Sequence, residues 1–353
     1  MKAMFLAKNN FRLTPDAAAG SAHNCAPQST SLGSMGDVPN LISILRSFST
    51  VYTSPVHYGQ CIEAGIKAQE LILLKKTDGN PYIQNIDFMV KQCLDHGVDV
   101  FITAGGDGTA SYVASSVIKQ DSGSCTSGKG TRPLFLGFPA GTANAGPIVH
   151  PLHTGDIGAL TEVGLDAIEV KDGDEIIGYG FNDVIIGNSF LATVDDNLVN
   201  LDAAAMALRG EKEIVRPGDR IAGKDFTVTL DGRKEEITHK IAQICISAIG
   251  LMKLGPKAVL GGLLNSEGEP HPAAAAFIGR NMIDSDPSTW NWHGPVTTTH
   301  ICFTEENTLQ ISGLGEDAQI IVDGNPFVRK TDMLSFRIVS QACTALWDNG
   351  VEN

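Results

Sequence analysis

No stretch of this chain approaches the roughly 18 consecutive apolar residues that a membrane-crossing helix requires, so no transmembrane span is expected. The opening MKAMFLAKNN has only about five apolar residues in succession. That is too few for a signal-peptide core and reads as a first strand over residues 2–7. There is no C-x-x-C pair. The seven cysteines, at positions 25, 61, 93, 125, 245, 302 and 343, are odd in number and widely scattered. Neither a disulfide framework nor a zinc site is suggested, and reduced thiols in a cytoplasmic protein are the simple expectation. H-E-x-x-H is missing too. The one close histidine pair, His150 and His153, has Pro151 between its members, which argues against one helix face presenting both. His271 and His293 lie in Pro/Gly-rich loops, so no metal site made of histidine is expected. Positive charge is scarce: 26 Lys and Arg against 40 Asp and Glu leave a formal net charge of −14. That balance argues against nucleic acid as a partner and against docking on anionic membranes. Any attraction for an anionic ligand must therefore be local.

What is present is an ordinary globular composition, 42% hydrophobic and 19% charged, over 353 residues, a length that suggests two domains. The most informative stretch is VDVFITAGGDGT, residues 98–109. Its first seven residues are mostly apolar, with β-branched and aromatic types, and read as a buried strand. Gly105, Gly106, Asp107, Gly108 and Thr109 follow, and then ASYVASSVIKQ with helical spacing. The glycines permit positive φ and close approach of a bulky anion to the main chain. A helix N-terminus adds partial positive charge, so phosphate is the expected guest. Asp107 sits inside this anion-attracting turn. A carboxylate beside phosphate either takes a proton or holds a metal, and both roles suit phosphoryl transfer to a hydroxyl. The residues alone equally allow a glycine turn with an aspartate helix cap.

A second stretch narrows the choice. PLFLGFP, residues 133–139, is another short apolar strand, and it runs into Ala140, Gly141, Thr142, Ala143 and Asn144. The GGDGT turn, followed one helix and one strand later by this P-x-G-T-x-N turn, resembles the superfamily of NAD kinases and diacylglycerol/sphingosine-type lipid kinases. The resemblance implies that both turns lie at the carboxyl ends of parallel strands and share one nucleotide site. Gly105, Gly106, Gly108, Thr109, Gly141, Thr142 and Asn144 would then bind nucleotide, with Asp107 as catalytic residue. It also implies ATP and Mg²⁺ as cofactors. Farther on, Asn182 and Asp183 resemble the Asn-Glu pair with which NAD kinases bind the dinucleotide. The wider FNDVIIGNSFLAT is most similar to bacterial ATP-NAD kinase-like proteins, a group that includes an acetoin-catabolism-associated branch. On the residues alone, Asn182 and Asp183 also read as a strand start that caps a turn.

The remaining chain fits an α/β amino-terminal domain, with a parallel, doubly wound sheet, and a mostly antiparallel β-sandwich-like carboxyl-terminal domain. Residues 1–150 form the expected nucleotide-phosphate domain and 151–333 the acceptor domain; the resemblance implies that 334–353 return to the first. Helical spacing is read over 38–48, 58–76, 83–96 and 200–209, and Gly97 as a C-cap glycine. Two other glycine motifs mislead. Residues 123–129 begin like a P-loop, but Gly130 stands where Ser or Thr is needed and no helix follows. Residues 313–318, GLGEDA, precede another strand and read as a hairpin turn. Arg209, Lys212 and Arg216 form a basic cluster that reads as solvated, with a phosphate contact as the other possibility.

Three family features are missing or altered. Asn9 and Asn10 follow the first strand where the family has Asn-Pro, and the Thr-Pro-Thr-Gly-Ser stretch that holds NAD is absent. Asp323-Gly324-Asn325 stands where the superfamily has Asp-Gly-Glu or Asp-Gly-Gln; Asn325 cannot act as a base, which leaves that role to Asp107. The expectation is an ATP-dependent kinase that phosphorylates a hydroxyl, with NAD the first acceptor, working as a cytoplasmic homodimer on small-molecule nucleotides without membrane insertion. A lipid or other small-alcohol kinase and a non-catalytic nucleotide-binding regulator are the alternatives.

Overall fold

The computed structural model describes residues 1–13, 37–76, 80–122, 132–141, 146–195, 197–249, 273–280, 285–286 and 297–348. They form two compact units, one of Met1–Lys76, Asn85–Leu165 and Gln341–Asn353, the other of Thr77–Gln84 and Asp166–Ser340. No described helix is long and apolar enough to cross a membrane.

The first unit alternates strand and helix: β1 (Lys2–Ala7), α1 (Val38–Ser47), β2 (Thr50–Thr53), α2 (Pro55–Glu63), β3 (Ala68–Glu70), α3 (Pro81–Asp95), β4 (Val100–Gly105), α4 (Asp107–Ser122) and β5 (Leu134–Pro139). The strands pair in parallel in the order β3-β2-β1-β4-β5. β4 and most of β5 are buried, which explains why they read as continuous apolar runs rather than as alternation. On one face Leu41, Ile44 and Leu45 of α1 pack on Phe5, Ile102, Ala104, Leu136 and Phe138. α3 and α4 are tied to each other by Asp87, whose carboxylate accepts from the Tyr112 hydroxyl at 2.9 Å and from Ser116 at 2.6 Å.

One helix differs from its sequence pattern. Residues 58–76 have helical spacing, yet α2 begins at Pro55 and ends at Glu63, and β3 follows. Gly65 takes φ 69°, and Ile66 N–H reaches back to the Cys61 carbonyl at 2.9 Å. This left-handed closure ends the helix whatever apolar spacing comes after it. Gly97 closes α3 in the same manner at φ 65°.

Strands lying wholly or partly in the second unit are β6 (Thr161–Asp172), β7 (Glu175–Gly180), β8 (Asp183–Gly187), β9 (Ser189–Val194), β10 (Asn197–Asp202), β11 (Ala222–Leu230), β12 (Arg233–Glu235), β13 (Gln243–Ile249), β14 (Ala273–Gly279), β15 (Thr299–Thr304), β16 (Leu309–Leu314), β17 (Gln319–Val322), β18 (Asn325–Phe327) and β19 (Met333–Trp347). A short helix, α5 (Ala203–Arg209), follows β10. One sheet has the order β15-β14-β13-β8-β17-β18; the opposing strands are β12-β11-β16-β19, with β6 and β7 alongside. Val184, Ile186, Ile244, Ile246, Ile320 and Val322 share a core with Ile168, Val170, Leu309, Ile311 and Phe336. Ile185, Cys245, Phe277 and Ile321 point to the other face, beneath Phe190, Leu201 and Ala203. The architecture is thus a doubly wound α/β domain and an antiparallel β-sandwich.

Two further differences appear in this unit. Asn200–Asp202, read as helical, complete β10; the helix starts at Ala203 because the Asp202 carboxylate caps it, accepting from Ala205 N–H at 2.7 Å. GLGEDA is not a hairpin turn. β16 pairs with β11 and β19, while β17 pairs with β8 and β18, so the segment crosses from one sheet to the other. Arg329 holds the crossing, its guanidinium donating to the carbonyls of Gly315 at 2.6 Å, Ala318 at 3.1 Å and Leu314 at 3.3 Å.

β19 is bent at Gln341, which takes φ 46°. Before the bend Met333–Phe336 pair with β16; after it Thr344 and Ala345 pair in parallel with Leu134 and Phe135 of β5.

Candidate nucleotide site

Gly105 ends β4 and Asp107 opens α4, so Gly106 alone lies between strand and helix. The Gly106 carbonyl accepts from the N–H groups of Thr109 at 3.2 Å and Ala110 at 3.3 Å, which starts the helix. Gly105 keeps a strand backbone, and an added Cβ would meet the Thr109 side chain at an ordinary contact distance of 3.4 Å. Asp107, only 3% exposed, stands in the first turn of α4, where the helix dipole favours negative charge.

The second turn leaves from the neighbouring strand at the same edge. Gly105 and Pro139 are partners in the parallel register, and Ala140 N–H donates to the Gly105 carbonyl at 3.0 Å. Gly141 comes next; Thr142 and Asn144 lie outside the described residues. The chain returns along β5, with His150 N–H donating to the Gly137 carbonyl at 3.0 Å. A Cβ at Gly137 would lie 2.6 Å from the Ile148 carbonyl oxygen, so the return needs glycine there. This constraint gave no signal in the sequence, where Gly137 is one residue in an apolar run.

The end of β1 reaches the same edge. Lys8 N–H donates to the Ala104 carbonyl at 3.0 Å, and the Lys8 carbonyl accepts from Phe11 N–H at 2.9 Å. That carbonyl also lies 3.2 Å from Nε2 of His57, a side chain with no exposed surface, whose Nδ1 is 3.2 Å from the Ser54 hydroxyl. Burial lowers the His57 pKa, opposed by the Lys8 carbonyl and assisted by Arg12. A buried, neutral imidazole therefore props the Lys8 turn where the resemblance expects Asn-Pro.

Asn182 and Asp183 belong to the second unit. β7 ends at Gly180 and β8 begins at Asp183, and these strands lie in different sheets of the sandwich. The bend between them is held by Asp323. One oxygen of its carboxylate accepts from Phe181 N–H at 2.7 Å, the other from the N–H groups of Asn182 at 2.8 Å and Asp183 at 3.0 Å. Asp323 N–H returns a bond to the Asp183 carbonyl at 3.0 Å. The Ser247 hydroxyl donates to the Asn182 carbonyl at 3.0 Å. Burial, and then the charge of Asp183, push the Asp323 carboxyl up to about 7 against these three donors. Asp323 and Gly324 form the two-residue turn between β17 and β18, at φ 47° and 76°. Asn325 turns inward, its Nδ2 donating to the carbonyls of Val322 and Asp323.

Other sequence candidates fall elsewhere. His150 stacks on Trp347 with ring centroids 5.2 Å apart, and His153 N–H donates to Asp348. Arg209, from the basic cluster, pairs with Glu211 and Glu213, each at 2.6 Å. The P-loop-like residues 123–129, and His271 and His293, lie outside the described residues.

Comparison with known proteins agrees with this geometry. Residues 62–168, which include both glycine turns, match the family model described as diacylglycerol kinase catalytic domain. An uncharacterized protein of Archaeoglobus fulgidus is 28% identical over 264 residues, covering 74% of this chain and 77% of that protein. The crystal structure of yeast NADH kinase complexed with NADH superposes with a TM-score of 0.51 at 12% identity, over 100% of this chain and 84% of that one. Residues 62–168 thus resemble a kinase catalytic domain of the diacylglycerol kinase type, and the whole chain shares the fold of the NADH kinase.

Proposed function

We propose that the protein is an ATP-dependent kinase that phosphorylates a hydroxyl, with NAD as acceptor and NADP as product. The observation that carries this is the meeting of the glycine turn after β4, which opens a helix on the buried Asp107, with Ala140 and Gly141 at the end of the neighbouring parallel strand. Gly105, Gly106, Gly108 and Thr109, with Gly141, Thr142 and Asn144, would cradle nucleotide phosphates. Asn182 and Asp183 would hold the acceptor. Asp107 would accept the proton of the attacking hydroxyl or orient that group.

No group of three or more His, Cys, Asp or Glu among the described residues is placed to hold a metal ion by itself. Mg²⁺ commonly binds through one or two carboxylates plus substrate phosphates, and Asp107 is a carboxylate at the phosphate turn, so the donor set fits a metal that arrives with the nucleotide. Bound there, Mg²⁺ would neutralise charge on the phosphate oxygens.

A second acceptor class has its own support. The matching family model is named for diacylglycerol kinase, so a lipid alcohol belongs in the same test. The net charge of −14 gives no sign of a basic patch for an anionic bilayer. A cytoplasmic homodimer completes the proposal.

The test incubates the protein with ATP and Mg²⁺ against NAD, NADH, diacylglycerol and sphingoid bases, with product identified by mass. Asp107→Asn should keep the fold and most ATP affinity yet lose at least about a hundredfold in kcat, the lower end of what general-base assistance contributes. A helix cap alone would tolerate Asn almost unchanged. Near wild-type turnover in the folded variant would therefore remove the catalytic role. ATP binding without ADP formation for any acceptor would leave a regulator.

A further inference from the structure

We propose that Asp323 is a positioning residue for the acceptor: its carboxylate, by gathering the backbone N–H groups of Phe181, Asn182 and Asp183, sets the direction in which the Asn182 side chain is presented. The inference rests on the acceptor role proposed above for Asn182 and adds a residue to it. Asp323 lies 140 to 142 positions away in sequence from the three groups it holds.

The geometry leaves the bend between β7 and β8 little freedom. The N–H of Asn182 is bound by Asp323 and its carbonyl by the Ser247 hydroxyl, so both main-chain groups of this residue are anchored. Gly180, on the entry side, has no room for a side chain: a Cβ there would lie 2.8 Å from Val184 Cγ2. With the backbone fixed, the Asn182 side chain projects from a defined base. Its Nδ2 is enclosed and has no hydrogen-bond partner among the described residues. Buried amide donors are almost always satisfied, so an enclosed one at a rigid bend points to a ligand that supplies an acceptor oxygen. Burying a carboxylate as fully as Asp323 is costly unless its oxygens are occupied, and three converging N–H groups occupy them. A simple two-residue hairpin turn needs no such arrangement: Asn-Gly makes that turn equally well. The aspartate is explained by what its carboxylate holds across the sheet, not by the hairpin in which it sits.

The experiment uses the full chain at pH 8, with ATP and Mg²⁺ and with NAD as the acceptor probe; any other acceptor that turns over is carried through the same variants. Asp323→Asn preserves the side-chain shape but puts an N–H₂ where carboxylate oxygen accepted. It should raise the acceptor KM by about tenfold or more, since small misplacements of a positioning group carry such factors, while the ATP dissociation constant stays at the wild-type value. Asn182→Ala should show the same acceptor-specific defect, and the double variant Asn182→Ala/Asp323→Asn should be no worse than Asn182→Ala alone, because one residue acts through the other. A purely structural role would instead add its own loss and weaken ATP binding as well. A wild-type acceptor KM in Asp323→Asn, beside an impaired Asn182→Ala, overturns the inference and leaves the acceptor site intact. Unchanged kinetics in Asn182→Ala removes the acceptor site itself, and the inference with it. Should Asp323→Asn fail to fold, Ser247→Ala removes the other anchor of Asn182 and must show an acceptor-specific rise in KM; wild-type kinetics there overturns the inference.

Discussion

At Asp323 burial and hydrogen bonding oppose each other. Three N–H donors favour the carboxylate, but the side chain is fully enclosed and Asp183 adds a like charge, so the group titrates near 7 rather than at its ordinary 3.8. An acid whose folded pKa lies above its unfolded one binds more protons when folded. Its contribution to stability is present below about pH 4 and is lost as pH rises to about 7. Wild-type stability should fall across that window with a slope approaching about 1.4 kcal/mol per pH unit, the limit for one proton. Asp323→Asn should flatten the profile. Urea unfolding of both proteins between pH 4.5 and 8 checks this, and identical slopes would show that Asp323 does not titrate there.

Among elements, the crossing from β16 to β17 depends on one side chain. Arg329 donates to the carbonyls of Leu314, Gly315, Ala318 and Thr331, and its backbone N–H binds the Gln319 side chain. A planar guanidinium serves carbonyls that diverge around it; a lysine ammonium, a single point charge, cannot reach them together. Arg329→Lys should therefore destabilise the sandwich by about 1–3 kcal/mol, the usual cost of leaving buried partners of a charged donor unsatisfied. Thermal unfolding reads the effect, and a variant as stable as wild type would show that water replaces the lost bonds. The glycine turn between β4 and α4 belongs to the opposite category. It is made by neighbours in sequence, with the Gly106 carbonyl bound to Thr109 and Ala110, and was legible for that reason.

For the whole molecule, the decisive element is β19. Beyond Gln341 it contributes Cys343, Ala345, Leu346 and Trp347 to the first unit as buried side chains and covers the open side of β5. The Trp347 indole N–H donates to the Pro147 carbonyl at 3.0 Å, and Asp348 accepts from Thr154 N–H at 2.8 Å. Each large apolar side chain buried contributes about 1.5–3 kcal/mol, so removing several approaches the 5–15 kcal/mol that holds a typical domain together. A chain ending at residue 340 should lose cooperative unfolding of the first unit and, with it, ATP binding. Wild-type ATP affinity in the shortened protein would show that this unit folds without the segment.

Sequence alone determined what is local. Strand, glycine turn and helix at residues 98–122 follow from apolar spacing and the small size of glycine, and the hairpins at Asp231-Gly232 and Asp323-Gly324 follow from the positive φ such pairs accept. Tertiary structure decided whatever depends on a partner distant in the chain. Residues 68–70, read as helical, paired with β2 as β3, the strand after GLGEDA joined the other sheet, and Asp323 found the Asn182 bend. In each, the local preference is worth a few tenths of a kcal/mol to about one per residue. Burying a sheet face, or satisfying a buried carboxylate, is worth several times that, so the distant partner prevails.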